Sequence, residues 1–136
     1  MNFKHKIPIQ IRFSDIDAVN HVNNAIISQY YDVGRINYFE TVLGENFDWS
    51  EVLAVVVYTE NNYYQSIGQN DKIVVKTRLE KFGNKSMTMF QQIVDEKTDT
   101  IKSTCKTILA GYDRINQCSA VIPDNFKKIF SDFENK

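Results

Sequence analysis

The chain has 136 residues, 24% of them charged, and a formal net charge of −1, and we expect one domain spanning residues 1–136. No long basic run occurs, which disfavours an interface with nucleic acid. The longest fully apolar run, residues 53–58, is far shorter than the ~20 residues of a membrane span, and the N-terminal residues lack a signal-peptide pattern, so we expect a soluble cytoplasmic protein without a membrane partner.

The first element in the chain is a predicted strand at residues 5–13. Polar and apolar residues alternate there, which places Ile7, Ile9, Ile11 and Phe13 on one face of a half-buried strand. Because Pro8 has no backbone N–H to donate to a ladder, we expect this strand to begin at the edge of a sheet.

A long helix is predicted at residues 24–43, where apolar residues recur at spacings of three and four. Asn23 or Asn24 suits the N-cap, and Gly44 suits the C-terminal stop. Gly34 in the middle of a helix costs about 1 kcal/mol relative to Ala, so we expect that turn to pack closely against a sheet.

The rest of the chain is predicted to form four strands joined by short turns, followed by a short helix. The strands span residues 52–67, 72–82, 86–94 and 100–113, and the helix spans 124–133. One long helix followed by an antiparallel meander indicates a sheet packed around that helix. Such a sheet leaves exposed edges, so we expect the chain to pair with a copy of itself.

A polar cluster precedes the long helix. The stretch "FSDIDAVNHVNNA", residues 13–25, holds two carboxylates, one of the two histidines and three asparagines. These side chains are costly to bury without partners, so the cluster is either a capped loop or a site.

Other familiar sites are disfavoured by spacing. Read as a calcium-binding EF-hand loop, the cluster has Asn20 and Ile26 where Gly and Glu are needed. The two histidines and two cysteines lack zinc spacing, and neither a glycine-rich phosphate loop nor a G-x-S-x-G elbow occurs. We expect Cys105 and Cys118 to be reduced thiols, and we expect no metal or cofactor.

The stretch "RFSDIDAVNHVNNA" followed by "YYDVGRINYF" resembles the hotdog-fold acyl-CoA thioesterases of the 4-hydroxybenzoyl-CoA thioesterase type. The resemblance runs from about residue 5 to residue 113. It implies an α+β hotdog fold, in which an antiparallel sheet of five to six strands wraps around one long central helix. It also implies hydrolysis of an acyl thioester to free acid and CoA.

The resemblance assigns roles within the polar cluster. It makes Asp17 the catalytic carboxylate, either general base or nucleophile, and makes the backbone N–H of Asn24 the group that polarises the thioester carbonyl. From its residue type alone, His21 either orients water or binds the thioester oxygen, or it caps or fills the loop. Asp15 is expected to make turn or cap contacts, and Asn20, where many relatives carry Gly, tolerates a positive φ.

Coenzyme A carries phosphates, so its site needs basic side chains near exposed turns. The candidates are Arg78, Lys81, Lys85 and Ser86, although an ordinary solvated hairpin would look the same. The family builds each site at a subunit interface, which implies a homodimer or homotetramer.

Six aromatic residues are expected mostly in the core, with one or two lining the acyl pocket: Tyr30, Tyr31, Tyr38, Phe39, Tyr63 and Tyr64. Asp32 and Arg35 are spaced for an ion pair along the helix.

Two alternatives stay open at this point. One is a hotdog dehydratase or hydratase acting on acyl thioesters, which uses Asp and His in a different spacing. The other is a domain that binds an acyl thioester, on CoA or on an acyl carrier protein, without turnover. The sequence does not identify the acyl group.

Overall fold

The computed structural model describes residues 2–44 and 53–136. Its helices and strands are β1 (His5–Ile9), α1 (Asn24–Leu43), β2 (Leu53–Tyr63), β3 (Ile73–Phe82), β4 (Ser86–Asp95), β5 (Ile101–Asp113), β6 (Cys118–Ser119) and α2 (Asp124–Glu134). One 3-10 turn, Phe13–Asp15, lies between β1 and α1. The order of strand, long helix, four strands and short C-terminal helix is therefore the order predicted from the sequence.

The six strands form one antiparallel sheet. Its order is β1-β3-β4-β5-β2, with the short β6 pairing with β5. Pro8 lies in the edge strand β1, as predicted. Proline has no backbone N–H to donate, and an edge strand tolerates this because one of its sides pairs with no other described strand of the sheet. The α+β architecture, with a six-stranded sheet and one long helix against it, is that of the hotdog fold.

Two predicted strands were too long, and the short strand β6 was not predicted. The first strand ends at Ile9, and Phe13 is 82% exposed at the start of the 3-10 turn rather than in a strand face. The turn forms because the Asp15 carboxylate accepts the Arg12 backbone N–H at 3.0 Å. The second strand ends at Tyr63 rather than residue 67, and residue 52 lies outside the described residues.

Helix α1 has the predicted bounds, and both ends have a local cause. The Asn23 side chain accepts a hydrogen bond from the Ala25 N–H at 2.8 Å, and Gly44 ends the helix with a φ of +94°. A Cβ at Gly34 would lie 2.5 Å from Cγ1 of Val75 in β3. Glycine at this position therefore lets α1 lie directly against the sheet, as expected.

The core lies between α1 and the sheet and continues under α2. Tyr30, Tyr31, Tyr38 and Phe39 are buried, as predicted, and Phe130 of α2 packs against the last two. Two further tyrosines are exposed rather than in the core: Tyr63 (48%) and Tyr64 (62%). Their side chains are therefore available to a ligand.

Three smaller expectations concern ion pairs, thiols and membranes. Arg35 pairs with Asp32 along α1, and Cys105 and Cys118 are free thiols, as predicted. Among the residues that the structure describes, no helix combines the length and the apolar character needed to cross a bilayer.

Candidate active site

The polar cluster folds into a tight loop between the 3-10 turn and α1. Ile16 and Val22 form an isolated antiparallel bridge, and the Asp17 N–H donates to the His21 carbonyl at 2.9 Å. Asn20 turns the chain with a φ of +66°, a left-handed conformation that asparagine tolerates, as expected. The loop therefore brings Asp17 and His21 next to each other.

The carboxylate of Asp17 is held in one orientation by backbone donors. Its Oδ1 accepts the N–H of Val19 at 3.0 Å and that of His21 at 3.4 Å. Within residues 2–44 and 53–136, no group donates to Oδ2. The side chain is half-buried, so one oxygen is fixed while the other stays available to water or substrate.

The first turn of α1 leaves one N–H group open. Asn23 caps Ala25 through its side chain, and its carbonyl accepts from Ile26 and Ile27 at 2.9 and 3.0 Å. The N–H of Asn24 has no acceptor among the described residues. Because unpaired N–H groups and the helix dipole give the N-terminus positive potential, this N–H can stabilise an oxyanion.

One cavity of about 380 Å³ is lined by all three predicted catalytic residues, Asp17, His21 and Asn24. The Val22 N–H donates to the Ile67 carbonyl at 2.8 Å, which holds the loop against the segment that follows β2. The other lining residues are Val19, Val22, Ile27, Tyr63, Tyr64, Gln65, Ser66 and Ile67. The cavity thus combines an apolar floor with a carboxylate and a helix N-terminus.

The wall at residues 63–67 was expected to continue the strand to residue 67, although Tyr63 and Tyr64 were among the aromatic residues of which one or two were expected to line the acyl pocket. The chain leaves the ladder because the N–H groups of Tyr64 and Gln65 both donate to the Lys102 carbonyl, at 2.9 and 3.1 Å. The one sequence signal for this wall is the adjacent pair Tyr63 and Tyr64, which interrupts the alternation of the strand. In a strand, two neighbouring aromatic residues point to opposite faces and cannot both face the core.

Asp15 makes the predicted turn contacts and also reaches the helix. Its buried carboxylate accepts hydrogen bonds from the Tyr30 hydroxyl and from the Arg12 backbone and guanidinium groups. Burial alone raises the pKa of Asp15, but the hydrogen bonds from Tyr30 and Arg12 outweigh it and hold the pKa below its ordinary value. Asp15 is therefore bonded within the fold rather than open to the cavity.

Three of the four candidate CoA-binding residues, Lys81, Lys85 and Ser86, lie toward the other end of the sheet, whereas Arg78 lies in the middle of β3. Ser86 pairs with Ala110 of β5, whereas Tyr63 beside the cavity pairs with Ser103, seven residues away. At ~3.3 Å per residue, these positions are about 23 Å apart along the strand direction. The structure therefore does not bring the two sets together within one chain.

The four candidates already have partners or solvent around them. The Arg78 guanidinium lies 3.2 Å from Glu80, and the Lys85 ammonium donates to the Ser119 hydroxyl at 3.3 Å. Lys81 is exposed, and Ser86 is half-buried at the start of β4. Of the four residues, the exposed Lys81 and Lys85 are best placed to bind a phosphate, because their ammonium groups have no carboxylate partner on the described parts of the chain.

Another groove lies elsewhere on the surface, and it has fewer groups that could take part in catalysis. This groove of about 470 Å³ runs between residues 8–11 and 69–73 and has neither a histidine nor a helix N-terminus. Across residues 2–44 and 53–136, no group of three or more His, Cys, Asp and Glu side chains could hold a metal ion. We therefore assign the candidate site to the smaller cavity beside Asp17.

A family model described as the thioesterase-like superfamily matches residues 11–130 of the chain. The match includes the polar loop, both walls of the cavity and the hairpin between β3 and β4. No match was found among curated proteins.

Solved structures with the same fold include several that bind or hydrolyse CoA derivatives. A Thermus thermophilus thioesterase complexed with coenzyme A and Zn has a TM-score of 0.85 at 24% identity, covering 98% of this chain and 97% of that one. A Staphylococcus aureus protein in complex with CoA has a TM-score of 0.84 at 14% identity, covering 96% and 83%. A 1,4-dihydroxy-2-naphthoyl-CoA thioesterase from Synechocystis has a TM-score of 0.82 at 11% identity, covering 95% and 96%.

Proposed function

The chain belongs to the thioesterase-like superfamily and is a thioester hydrolase, and we propose that it hydrolyses acyl-CoA at the cavity lined by Asp17, His21 and Asn24. The observation that carries this proposal is the pairing of two open groups in one cavity. One is the Oδ2 atom of Asp17, and the other is the N–H of Asn24, neither of which has a partner among the described residues. Thioester hydrolysis needs both a base or nucleophile and a donor to the oxyanion.

In the proposed reaction, the thioester carbonyl oxygen accepts the Asn24 N–H at the start of α1. Asp17 either takes a proton from a water that attacks the carbonyl carbon, or attacks that carbon itself to form an anhydride that water then opens. In both routes a C–O bond forms, the C–S bond breaks, and the sulfur becomes the thiol of CoA. In the general-base route Asp17 passes the proton taken from water to the departing sulfur; in the anhydride route the sulfur leaves as a thiolate and takes up the proton released when water opens the anhydride.

His21 has a supporting role in this proposal. Its exposed imidazole makes no hydrogen bond with the part of the chain that the structure describes. It lines the cavity beside Asp17, where a ring nitrogen can bind the attacking water or the thioester.

CoA recognition is proposed to involve a second copy of the chain. Strand β2 pairs only with β5 among the described strands, and its apolar side chains Val55, Val57 and Tyr58 are exposed. An exposed, apolar edge strand is a template for pairing with another chain. We therefore propose a homodimer, or a homotetramer built from such dimers.

A two-fold antiparallel pairing of β2 would complete the site. The Tyr63 end of one β2 would lie beside the Leu53 end of the other. In each chain, the Leu53 end is also the end of the sheet that holds the turn at residues 83–85. Lys81, Lys85 and Ser86 of one copy would thereby approach the cavity of the other, where the phosphates of CoA need cations.

The test of this proposal is thiol release from a panel of acyl-CoA thioesters by the purified protein. We expect release of free CoA from at least one member with no change in the absorbance of an enoyl-CoA control. Interconversion of enoyl-CoA and hydroxyacyl-CoA without thiol release would indicate the hydratase alternative. Binding of acyl-CoA without either reaction would indicate the non-catalytic alternative, and either result would contradict the proposal.

A further inference from the structure

A second, smaller cavity of about 60 Å³ lies one helical turn from the reactive end of α1. Its lining residues are Ser28, Tyr31, Asp32 and Arg35 of α1, Thr59 and Asn61 of β2, and Cys105 of β5. Ser28 follows Asn24 by four residues, and Asn61 shares the inner face of β2 with Tyr63. The two cavities share no described lining residue, but neighbouring residues of α1 and β2 line them, so they lie next to each other along the groove between these two elements.

Asn61 lines the small cavity and is hydrogen-bonded to Tyr63, which lines the larger one. Its Nδ2 donates to the Tyr63 hydroxyl at 3.2 Å and to the Ser28 hydroxyl at 3.4 Å. Its Oδ1 is buried and accepts no hydrogen bond from the described residues. A buried acceptor left unpaired is destabilising, so this oxygen needs a donor that the chain does not supply.

Arg35 brings a buried cation to the same small cavity. It is only 8% exposed, and its guanidinium donates to Asp32, whose own side chain is 58% exposed. Buried guanidinium groups need several acceptors because they carry five N–H donors. The cavity thus contains one acceptor and one charged donor that can both bind a further polar group.

A hydroxyl is a small group that can bind both Asn61 and Arg35, since it donates one hydrogen bond to the Asn61 Oδ1 and can accept another from the guanidinium. The volume of about 60 Å³ is roughly that of two water molecules at ~30 Å³ each. This is well below the roughly 150 Å³ of a cavity that holds a benzene ring, so a group of hydroxymethyl size fits and an aromatic ring does not. A saturated chain extended into this cavity would leave the buried Oδ1 of Asn61 without a donor.

We propose that the substrate is a short, unbranched acyl thioester whose far end carries a hydroxyl, recognised by Asn61 and Arg35. This inference rests on the proposed function, because it uses the thioester position at Asn24 as its starting point. Asn61 is then the residue that determines acyl specificity. Its Oδ1 accepts the substrate hydroxyl, and its Nδ2 keeps the Tyr63 and Ser28 hydroxyls in place.

The test compares matched pairs of substrates that differ by one hydroxyl. Butyryl-CoA and hexanoyl-CoA are each assayed against the terminally hydroxylated counterpart, and kcat/KM is measured from thiol release. In at least one pair we expect the hydroxylated member to be favoured by about 10-fold or more, the size expected for a hydrogen bond to an otherwise unpaired buried group. This ratio is a property of the unaltered protein and needs no variant.

Variants then assign the preference to Asn61. We expect Asn61→Leu to lower the ratio to about one, because leucine neither accepts nor needs a hydrogen bond. Asn62→Leu is the matched control, since Asn62 is exposed on the opposite face of β2, and it should keep the ratio of the unaltered protein.

Three outcomes would overturn the inference. Hydrolysis of both members of every pair at rates within about twofold would leave the proposed function standing and make the small cavity a water site. If the hydroxylated member were favoured only in the pair of benzoyl-CoA and ring-hydroxylated benzoyl-CoA, the small cavity would not select the hydroxyl at the end of a short, unbranched acyl chain, which would contradict the inference. Absence of thiol release from every thioester would overturn the proposed function and this inference with it.

Discussion

The hydroxyl of Tyr30 in α1 donates a hydrogen bond of 2.5 Å to the buried carboxylate of Asp15. Asp15 lies two residues before Asp17, and its backbone carbonyl accepts the Asn23 N–H at 3.0 Å. The side chain and the backbone of one residue therefore fasten the loop of the candidate site to the helix that supplies the oxyanion donor. Two predictions concern this link.

The first prediction concerns Tyr30→Phe, which removes one donor from a buried carboxylate. We expect the free energy of unfolding to fall by about 1–3 kcal/mol, the cost of leaving a buried charged acceptor short of a partner. Urea denaturation measures this change, and thiol release should show a lower kcat because the loop is less firmly held. Tyr112→Phe, on a half-buried tyrosine of β5, is the control. A Tyr30→Phe protein as stable as the control would argue against the link.

The second prediction concerns pH. The hydrogen bonds from Tyr30 and Arg12 hold the pKa of Asp15 below its unfolded value of about 3.9, so the ionised form stabilises the fold above that pH. As the pH falls through the lowered folded pKa, this contribution is lost. The difference in unfolding free energy between the unaltered protein and Asp15→Asn should therefore shrink below about pH 4. Chemical denaturation between neutral and acidic pH measures it, and a constant difference would contradict the assignment.

Gly34 gives a third prediction, on the packing of α1. In Gly34→Ala the new Cβ would lie 2.5 Å from Val75 and 3.1 Å from Gln91. Overpacking costs about 1–3 kcal/mol, which exceeds the gain of about 1 kcal/mol in helix propensity, so we expect net destabilisation. Gln29→Ala, at an exposed position of the same helix, should change stability by less than about 0.5 kcal/mol. Equal melting temperatures for the two variants would show that the turn is not closely packed.

The exposed edge of β2 gives a fourth prediction. Val57 is 60% exposed in that strand, and Val57→Lys places a charge where lysine blocks strand pairing. We expect the variant to sediment as a monomer and to lose thioesterase activity together with the second copy. Val121→Lys, at a similarly exposed valine outside the strands, is the control and should keep both. A Val57→Lys protein that remains a dimer would place the interface elsewhere.

Features with a local cause were predicted from the sequence. The ends of α1 follow from the Asn23 cap and from Gly44, and the edge position of β1 follows from Pro8. Asp17, His21 and Asn24 lie within eight residues of chain, so their meeting in one cavity needs only the turn at Asn20.

Features that depend on distant contacts could not be predicted. The end of β2 is set by hydrogen bonds to the Lys102 carbonyl, about forty residues away in the sequence, which no local pattern reveals. Likewise, the charge of Lys85 does not tell which end of the sheet it occupies. That depends on the register between β4 and β5.

The central claim is that the Asp17 carboxylate performs the chemistry, and Asp17→Asn tests it most directly. Asparagine keeps the shape and can still accept the Val19 N–H, but it can act neither as a base nor as a nucleophile. The measurement is thiol release from the best acyl-CoA by the unaltered protein, by Asp17→Asn and by Asp132→Asn, whose side chain is exposed on α2. We predict that kcat falls ~10²-fold or more for Asp17→Asn alone, with KM little changed. An Asp17→Asn protein as active as Asp132→Asn would contradict the account.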